Sequence, residues 1–314
     1  MSSREIDSDA AIRILGLSRT FGDRIAVDGI DLGIERGELY SLLGPNGAGK
    51  TTTIRMLCCL LRPTNGTATI MGHDIRDDPL AVKEIIGVSP QETAVAPNLD
   101  AWENLALMAG LHRIDKRRAR RRSEELIEVT GLGARAGDKV KKYSGGMQRR
   151  LSIAMALVSE PEVLFLDEPT IGLDPQARHG MWEYIEGLKG TTTTVLTTHY
   201  LDEADALADR VAVIDAGTVV ASGTPDELKA QVAGTPVMVV EAPDVGSAAL
   251  DALREVYPSA RRVDGGIEIE DDGVSVYEVG DCLRRFDVEI RSTSIKQVSL
   301  DDVFLELTGK ELRT

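Results

Sequence analysis

The stretch GPNGAGKT, residues 44–51, closes an apolar run and opens a helical one. It fits the spacing G-x-x-x-x-G-K-[ST] in the strand–loop–helix setting that the spacing requires. The physical reading is a phosphate cradle. Gly44, Gly47 and Gly49 let the backbone curl so that its N–H groups face inward. The succeeding helix adds the partial positive charge of its N-terminus. Lys50 can then neutralise β- and γ-phosphates, and the Thr51 hydroxyl can hold Mg²⁺.

A nucleotide site of this kind needs an acid at the end of a second apolar strand, and VLFLDE, residues 163–168, supplies it. Asp167 would hold Mg²⁺, directly or through water. Glu168 is next in the chain, placed to polarise an attacking water, a contribution typically of about 10²–10⁴-fold. A third stretch, KKYSGGMQRRLSIAMAL at 141–157, places Ser144, Gly145 and Gly146 just before a helical run. Ser144 is a good N-cap, so the helix would begin at Gly145 or Gly146. Bare glycine amides at a helix N-terminus form an anion site. With Lys50 and its loop already serving one nucleotide, a second phosphate reader is redundant unless it serves another molecule's ATP. Two identical chains set head to tail would each lend Ser144, Gly145 and Gly146 to the other's γ-phosphate, giving a symmetric dimer with two equivalent sites.

Around these motifs, residues 11–44 alternate short β-type runs (AIRILGLS, RIAVDGIDLGI, ELYSLLG) with turn residues, and GKTTTIRMLCCLL reads as a helix. EIIGVSP, EVLFLDEP, TTTTVLTTH and RVAVIDAGTVVASG read as strands, the last with a hairpin at Ala216-Gly217. Between Gln91 and Pro161 the periodicity is helical, as in AWENLALMAGL and RRRSEELIEVTGL. Strands buried between helices imply a mainly parallel sheet, with an antiparallel piece at the N-terminus. After about Lys229 the pattern changes. QVAGTP, residues 231–236, reads as a linker. The order beyond it is strand, helix, two strands around VDGGIEIEDD, helix, strand over DVEIRSTSI and a final helix, which fits a small α+β domain of ferredoxin-like order. Domains are therefore expected at 1–229, with a helical subdomain at about 92–160, and at 230–314.

The net charge of −15 argues against a protein built to coat nucleic acid. One segment opposes it: RIDKRRARRR holds seven basic residues between Arg113 and Arg122. Without interleaved aromatics for base stacking, it reads as a solvated helix face, with an anionic-lipid or nucleic-acid patch as the alternative. The three cysteines, adjacent Cys58 and Cys59 and distant Cys282, make a poor metal set and read as small buried apolar residues of a reducing compartment. The start MSSREIDSDA lacks the apolar stretch of a signal peptide, and no run approaches the roughly 18 apolar residues of a membrane span. Work at a membrane would need a separate spanning partner.

From about Ile12 to Gly223 the chain resembles the nucleotide-binding domain of an ABC ATPase, with the motifs in the family's order and spacing. GPNGAGKTT resembles its Walker A, bringing Asn46 and Thr52 into the expected nucleotide contacts. VLFLDEP resembles its Walker B, and YSGGM, which adds Met147, its signature. Gln91 in SPQE matches the Q-loop glutamine, which reaches Mg²⁺ and links to the transmembrane partner. GLDP at 172–175 resembles the D-loop, with Asp174 at the dimer seam, and His199 matches the switch histidine. Phe21 stands where the family has an aromatic that stacks on adenine. The departures are Tyr143 where leucine is commonest and Met147 where glutamine is. AWENL and a C-terminal SLDDVFLELTGKE look like the daunorubicin-resistance type of exporter ATPase.

The resemblance implies a P-loop α/β core with an antiparallel β subdomain and a helical subdomain, a homodimer, and a separately encoded permease at the cytoplasmic face of the cell membrane. It implies an ATP- and Mg²⁺-dependent ATPase driving efflux of a drug, lipid or polyketide-like solute, with no nucleic acid involved. The alternative is a soluble ABC-type ATPase acting on ribosomes or DNA. A non-catalytic ATP-binding scaffold fits less well with Glu168 and His199 both present.

Overall fold

A computed structural model describes residues 10–232, 237–296 and 298–309. It falls into two compact units, one formed by the residues through Glu227 together with those from Leu307 on, the other over Leu228–Glu306. Most of the segment expected as a linker, residues 233–236, lies outside the described residues.

The first unit opens with β1 (Ile12–Phe21), β2 (Arg24–Ile34) and β3 (Leu39–Leu43), then α1 (Lys50–Leu57), β4 (Asn65–Ile70), β5 (His73–Asp74), α2 (Pro79–Ile85) and β6 (Ile86–Ser89). Three helices come next: α3 (Ala101–Leu111), α4 (Lys116–Val129) and α5 (Gly145–Leu157). The remainder alternates β7 (Val163–Asp167), α6 (Pro175–Glu186), β8 (Thr193–Thr198), α7 (Leu201–Leu207), β9 (Arg210–Asp215), β10 (Thr218–Gly223) and α8 (Pro225–Lys229).

Two sheets result. One is antiparallel in the order β2-β1-β4-β5; the other runs β10-β9-β3-β8-β7-β6. In the second, β9, β3, β8, β7 and β6 pair in parallel, and β10 folds back antiparallel on β9. Strands β3, β7 and β8 are buried at every position, as strands covered on both faces must be. Their apolar side chains pack with Ile12, Ile14 and Leu17 of β1 and Ile54, Met56 and Leu57 of α1 into one core. Each fully buried residue of this kind is worth about 1.5–3 kcal/mol.

Three local readings need correction. The helix after the phosphate loop stops at Leu57 instead of running through the cysteines. Cys59 takes a left-handed conformation (φ 53°), Cys59 N–H bonds to Met56 O and Leu60 N–H to Arg55 O. This is a Schellman close with a non-glycine at its turning point. The strand expected over DVEIRSTSI begins only at Ser292. And NGTATI, absent from the expected strands, forms β4, where Gly66 (φ 69°) lies so close to Gly16 O that a Cβ would sit 2.1 Å from it.

The charge run falls on α4. Arg118 pairs with Glu160, Arg120 with Glu124, and Arg122 with Glu125. An aromatic does join it, though not from the run: Trp102 of α3 lies under the Arg120 guanidinium, 4.1 Å from ring centroid to carbon.

The second unit contains β11 (Val237–Glu241), α9 (Ser247–Val256), β12 (Arg261–Val263), β13 (Gly266–Glu270), α10 (Val276–Arg284), β14 (Ser292–Lys296) and all but the last two residues of α11 (Leu300–Thr308). Its sheet is antiparallel in the order β12-β13-β11-β14, the ferredoxin-like arrangement. Met238, Val240, Ile267 and Ile269 form its core with Leu250 and Leu253 of α9 and Val279 and Leu283 of α10. Among the described residues no helix is long and apolar enough to cross a membrane.

Candidate nucleotide site

Parallel strands all point the same way, so the segments leaving their C-terminal ends gather along one edge of the sheet. Four neighbours, β3, β8, β7 and β6, lie side by side there. β3 delivers the loop Gly44–Gly49, β8 delivers His199, β7 ends in Asp167 and Glu168, and β6 leads to Gln91.

The loop has the backbone that its glycines allow. Gly47 and Gly49 sit at φ 83° and 110°, and a Cβ on Gly49 would approach Ala26 O at 2.6 Å. On Gly44 it would meet Ile214 O at 2.1 Å. The β9–β10 hairpin closes the loop from outside. Its tip, Ala216 and Gly217, takes positive φ at both residues (48° and 86°), as a two-residue hairpin turn requires. Gly217 N–H donates to Ala48 O, and Asp28 N–H donates to Gly217 O. A cavity of about 360 Å³ is lined by Asn46, Gly47, Gly49, Lys50, Thr51, Thr52, Gln91 and Glu168, with Arg24 at one side.

Inside this frame the polar side chains are linked. Lys50 Nζ donates to Gly44 O at 2.5 Å and stands 3.5 Å from Glu168 Oε1. Burial pulls the Lys50 pKa down, while Glu168 and Asp167 act in the opposite direction. Thr51 Oγ1 and Thr197 Oγ1 both donate to Asp167 Oδ1, at 3.1 and 2.6 Å. His199 Nδ1 and Glu168 Oε2 are 2.7 Å apart. Glu168 itself has a left-handed backbone (φ 53°), rare for a side-chain-bearing residue. Its N–H donates to both the carbonyl and the hydroxyl of Thr197, which fixes the turn.

The hydroxyl of Thr51 and the carboxylate of Asp167 are the hard oxygen ligands that Mg²⁺ takes. The curled amides, Lys50 and a space that a Cβ would fill suit a polyphosphate. The residues present therefore fit both groups.

Ser144, Gly145, Gly146, Met147 and Asp174 do not line this cavity. Ser144 caps α5, its Oγ accepting from Met147 N–H, so the helix starts at Gly145. Ser144 and Gly145 are exposed, and a Cβ on Gly145 would meet nothing within 4 Å. Asp174 caps α6, its Oδ1 accepting from Ala177 N–H at 2.9 Å, while Leu173 beside it packs near Gly146. The substitution at Tyr143 is accommodated: the ring is buried and its hydroxyl donates to Arg135 O. Phe21 ends β1 opposite Arg24, is 46% exposed, and carries the Arg19 guanidinium on its ring at 4.5 Å.

Three participants escaped the sequence reading. Thr197 holds the Asp167 carboxylate and the Glu168 backbone N–H, but nothing singles it out within TTTTVLTT. Glu203, fully buried, accepts from Thr170 Oγ1 and Trp182 Nε1 and so ties α7 both to the stretch before α6 and to α6 itself. Arg149 is buried in α5. Its signal was available: a charge in helical phase with Ser152, Ile153 and Ala156.

Comparison with known proteins agrees with this geometry. The family profile described as ABC transporter matches residues 27–171. The chain is 44% identical to the daunorubicin resistance ATP-binding protein DrrA3 of Streptomyces coeruleorubidus, over 98% of each chain. It is 45% identical to the daunorubicin/doxorubicin resistance ATP-binding protein DrrA of Streptomyces peucetius, over 95% of this chain and 92% of that one. Among solved structures, the dimeric ATP-binding cassette MJ0796 in a post-hydrolysis state with ADP and Pi superposes with a TM-score of 0.62. That match is 27% identical and covers 68% of this chain and 98% of the other. Nothing in these matches supports a ribosome- or DNA-directed ATPase. Fold, site and relatives together place this chain in the ABC transporter family, as an ATP-hydrolysing, ATP-binding subunit of the resistance-exporter kind.

Proposed function

We propose that this chain works as a homodimer that closes around two ATP molecules at the cytoplasmic face of the cell membrane, driving a separate permease that exports a drug-like, lipid or polyketide-like solute. The observation that carries the reading is the division of labour within one chain. Lys50, Thr51, Gln91, Asp167, Glu168 and His199 converge on one sheet edge, while exposed Ser144 and Gly145 and half-buried Gly146 open α5 outside that cavity. The two halves of a phosphate site are thus present in each chain but not at the same place.

In this reading Asn46, Gly47, Gly49 and Lys50 hold the phosphates, Thr52 adds to the cradle, and Phe21 stacks on the base. Thr51, Asp167 and Gln91 hold Mg²⁺, which when bound neutralises charge on the β- and γ-phosphates. Glu168 orients the attacking water and takes its proton. The oxygen bonds to the γ-phosphorus as the bridging bond breaks and ADP leaves with the electron pair. His199 holds Glu168 in position. Ser144, Gly145, Gly146 and Met147 of one copy complete the other's γ-phosphate site, and Asp174 lies along the seam. The C-terminal domain expected at 230–314 serves as an accessory that steadies the dimer. A chain ending near Gln231 with unchanged turnover and dimerisation contradicts that last role.

The test is to capture tagged Glu168→Gln protein with ATP from detergent-solubilised membranes. One polytopic membrane protein in equal amount is expected. Recovery of ribosomal proteins or DNA, with no membrane protein, contradicts the transporter reading.

A further inference from the structure

We propose that Arg149 is the residue through which the two nucleotide sites of the dimer respond to one another; this rests on the shared-site reading above. Arg149 lies one turn inside α5, the helix whose first residues are Gly145 and Gly146, and it is 2% exposed. A guanidinium has five N–H donors in a fixed plane. Here all five are used, each on a main-chain carbonyl. Nε donates to Pro169 O at 3.0 Å. Nη1 donates to Pro90 O and to Gln91 O, the latter at 3.1 Å. Nη2 donates to Asp167 O and to Glu168 O, the latter at 2.7 Å.

These acceptors belong to two segments only. One is 90–91, carrying Gln91; the other is 167–169, carrying Asp167 and Glu168. Both segments reach the nucleotide cavity of their own chain. Arg149 therefore fastens the helix that offers amides to a second copy onto the two segments that register the ligand of the first. Burial depresses its pKa while Asp167, Glu168 and Glu203 act in the other direction, and arginine keeps its charge in proteins. The bonds are consequently charge-assisted and share one rigid plane. A shift of 90–91 against 167–169 must either carry α5 with it or break part of this set. Occupancy of one site thus sets how Gly145 and Gly146 are presented to the other. Coupling of this kind is reciprocal and commonly amounts to about 5–150-fold in affinity.

The test measures ATPase rate against ATP concentration for wild type, Arg149→Lys and Arg149→Gln. Wild type is expected to show a Hill coefficient well above one, towards the limit of about 2 set by two sites. Both variants are expected to fall towards one. A merely structural arginine would lower the melting temperature or the rate without flattening the curve. A variant that keeps the wild-type coefficient, or a non-cooperative wild type, overturns the proposal. Hydrogen exchange on diluted wild-type monomer needs no substitution: ATP should slow exchange in the peptide covering 144–151, and no change there also overturns it. If Glu168→Gln protein never dimerises with ATP, the shared-site reading fails and the coupling falls with it. If it dimerises while the coefficients are equal, only the coupling fails.

Discussion

Glu168 occupies a strained left-handed turn, and non-glycine residues held there cost roughly 1–3 kcal/mol. Thr197 holds that turn and His199 holds the carboxylate, so the side chain's position is overdetermined. We expect Glu168→Gln to retain ATP affinity and lose about 10²–10⁴-fold in turnover, the range for a general base. Lys50→Ala should instead weaken ATP binding by roughly 10–100-fold, as loss of hydrogen bonds to a charged group implies. Calorimetry and phosphate release separate the two effects. Glu203 gives a prediction in pH. Burial raises its pKa, so the folded state disfavours its charged form. A raised carboxyl contributes stability below its unfolded value of about 4.3 and loses it as pH climbs through the folded value. Glu203→Gln should therefore melt higher than wild type at pH 8, with the advantage shrinking towards pH 4.5. A gap that is constant across that range contradicts this account.

At the scale of elements, the glycines divide into two kinds. Gly44 and Gly49 have backbone oxygens where a side chain would go, so their role lies within the chain. Gly49→Ala should lower the melting temperature and ATP affinity together. Gly145 has open space around it and a helical backbone free of strain. Gly145→Ala should leave the melting temperature and monomer ATP affinity unchanged and impair only ATP-dependent dimerisation. Light scattering and thermal melts on the one variant settle the matter, and loss of fold stability would count against it. The legible parts of this site share one property: GPNGAGKT, VLFLDE and YSGGM each compress a backbone device and its side chains into a few consecutive residues. Gly66 beside Gly16, Thr197 beneath Asp167 and Glu203 beneath Thr170 depend on pairing across the fold, which no short window contains. The early stop of α1 was hidden for a related reason. Cys59 turns left-handed where composition offers neither glycine nor asparagine.

At the scale of the molecule, the sheet order explains why motifs far apart in sequence meet. Leu43 pairs with Thr198, Asp167 with Thr197, and Ser89 with Leu166, so one register sets the heights of all four strand ends. The periodicity announced buried parallel strands, whereas their order comes from packing. In the proposed dimer, the turn at Ser144–Gly146 of a second copy supplies the remaining donors to the γ-phosphate. The most direct measurement is the solution mass of Glu168→Gln protein by light scattering, with and without Mg²⁺-ATP. A shift from monomer to dimer on adding ATP, abolished by Ser144→Arg, is the result this account predicts. A monomer that binds ATP tightly and never pairs, or a dimer indifferent to ATP and to Ser144, would contradict it.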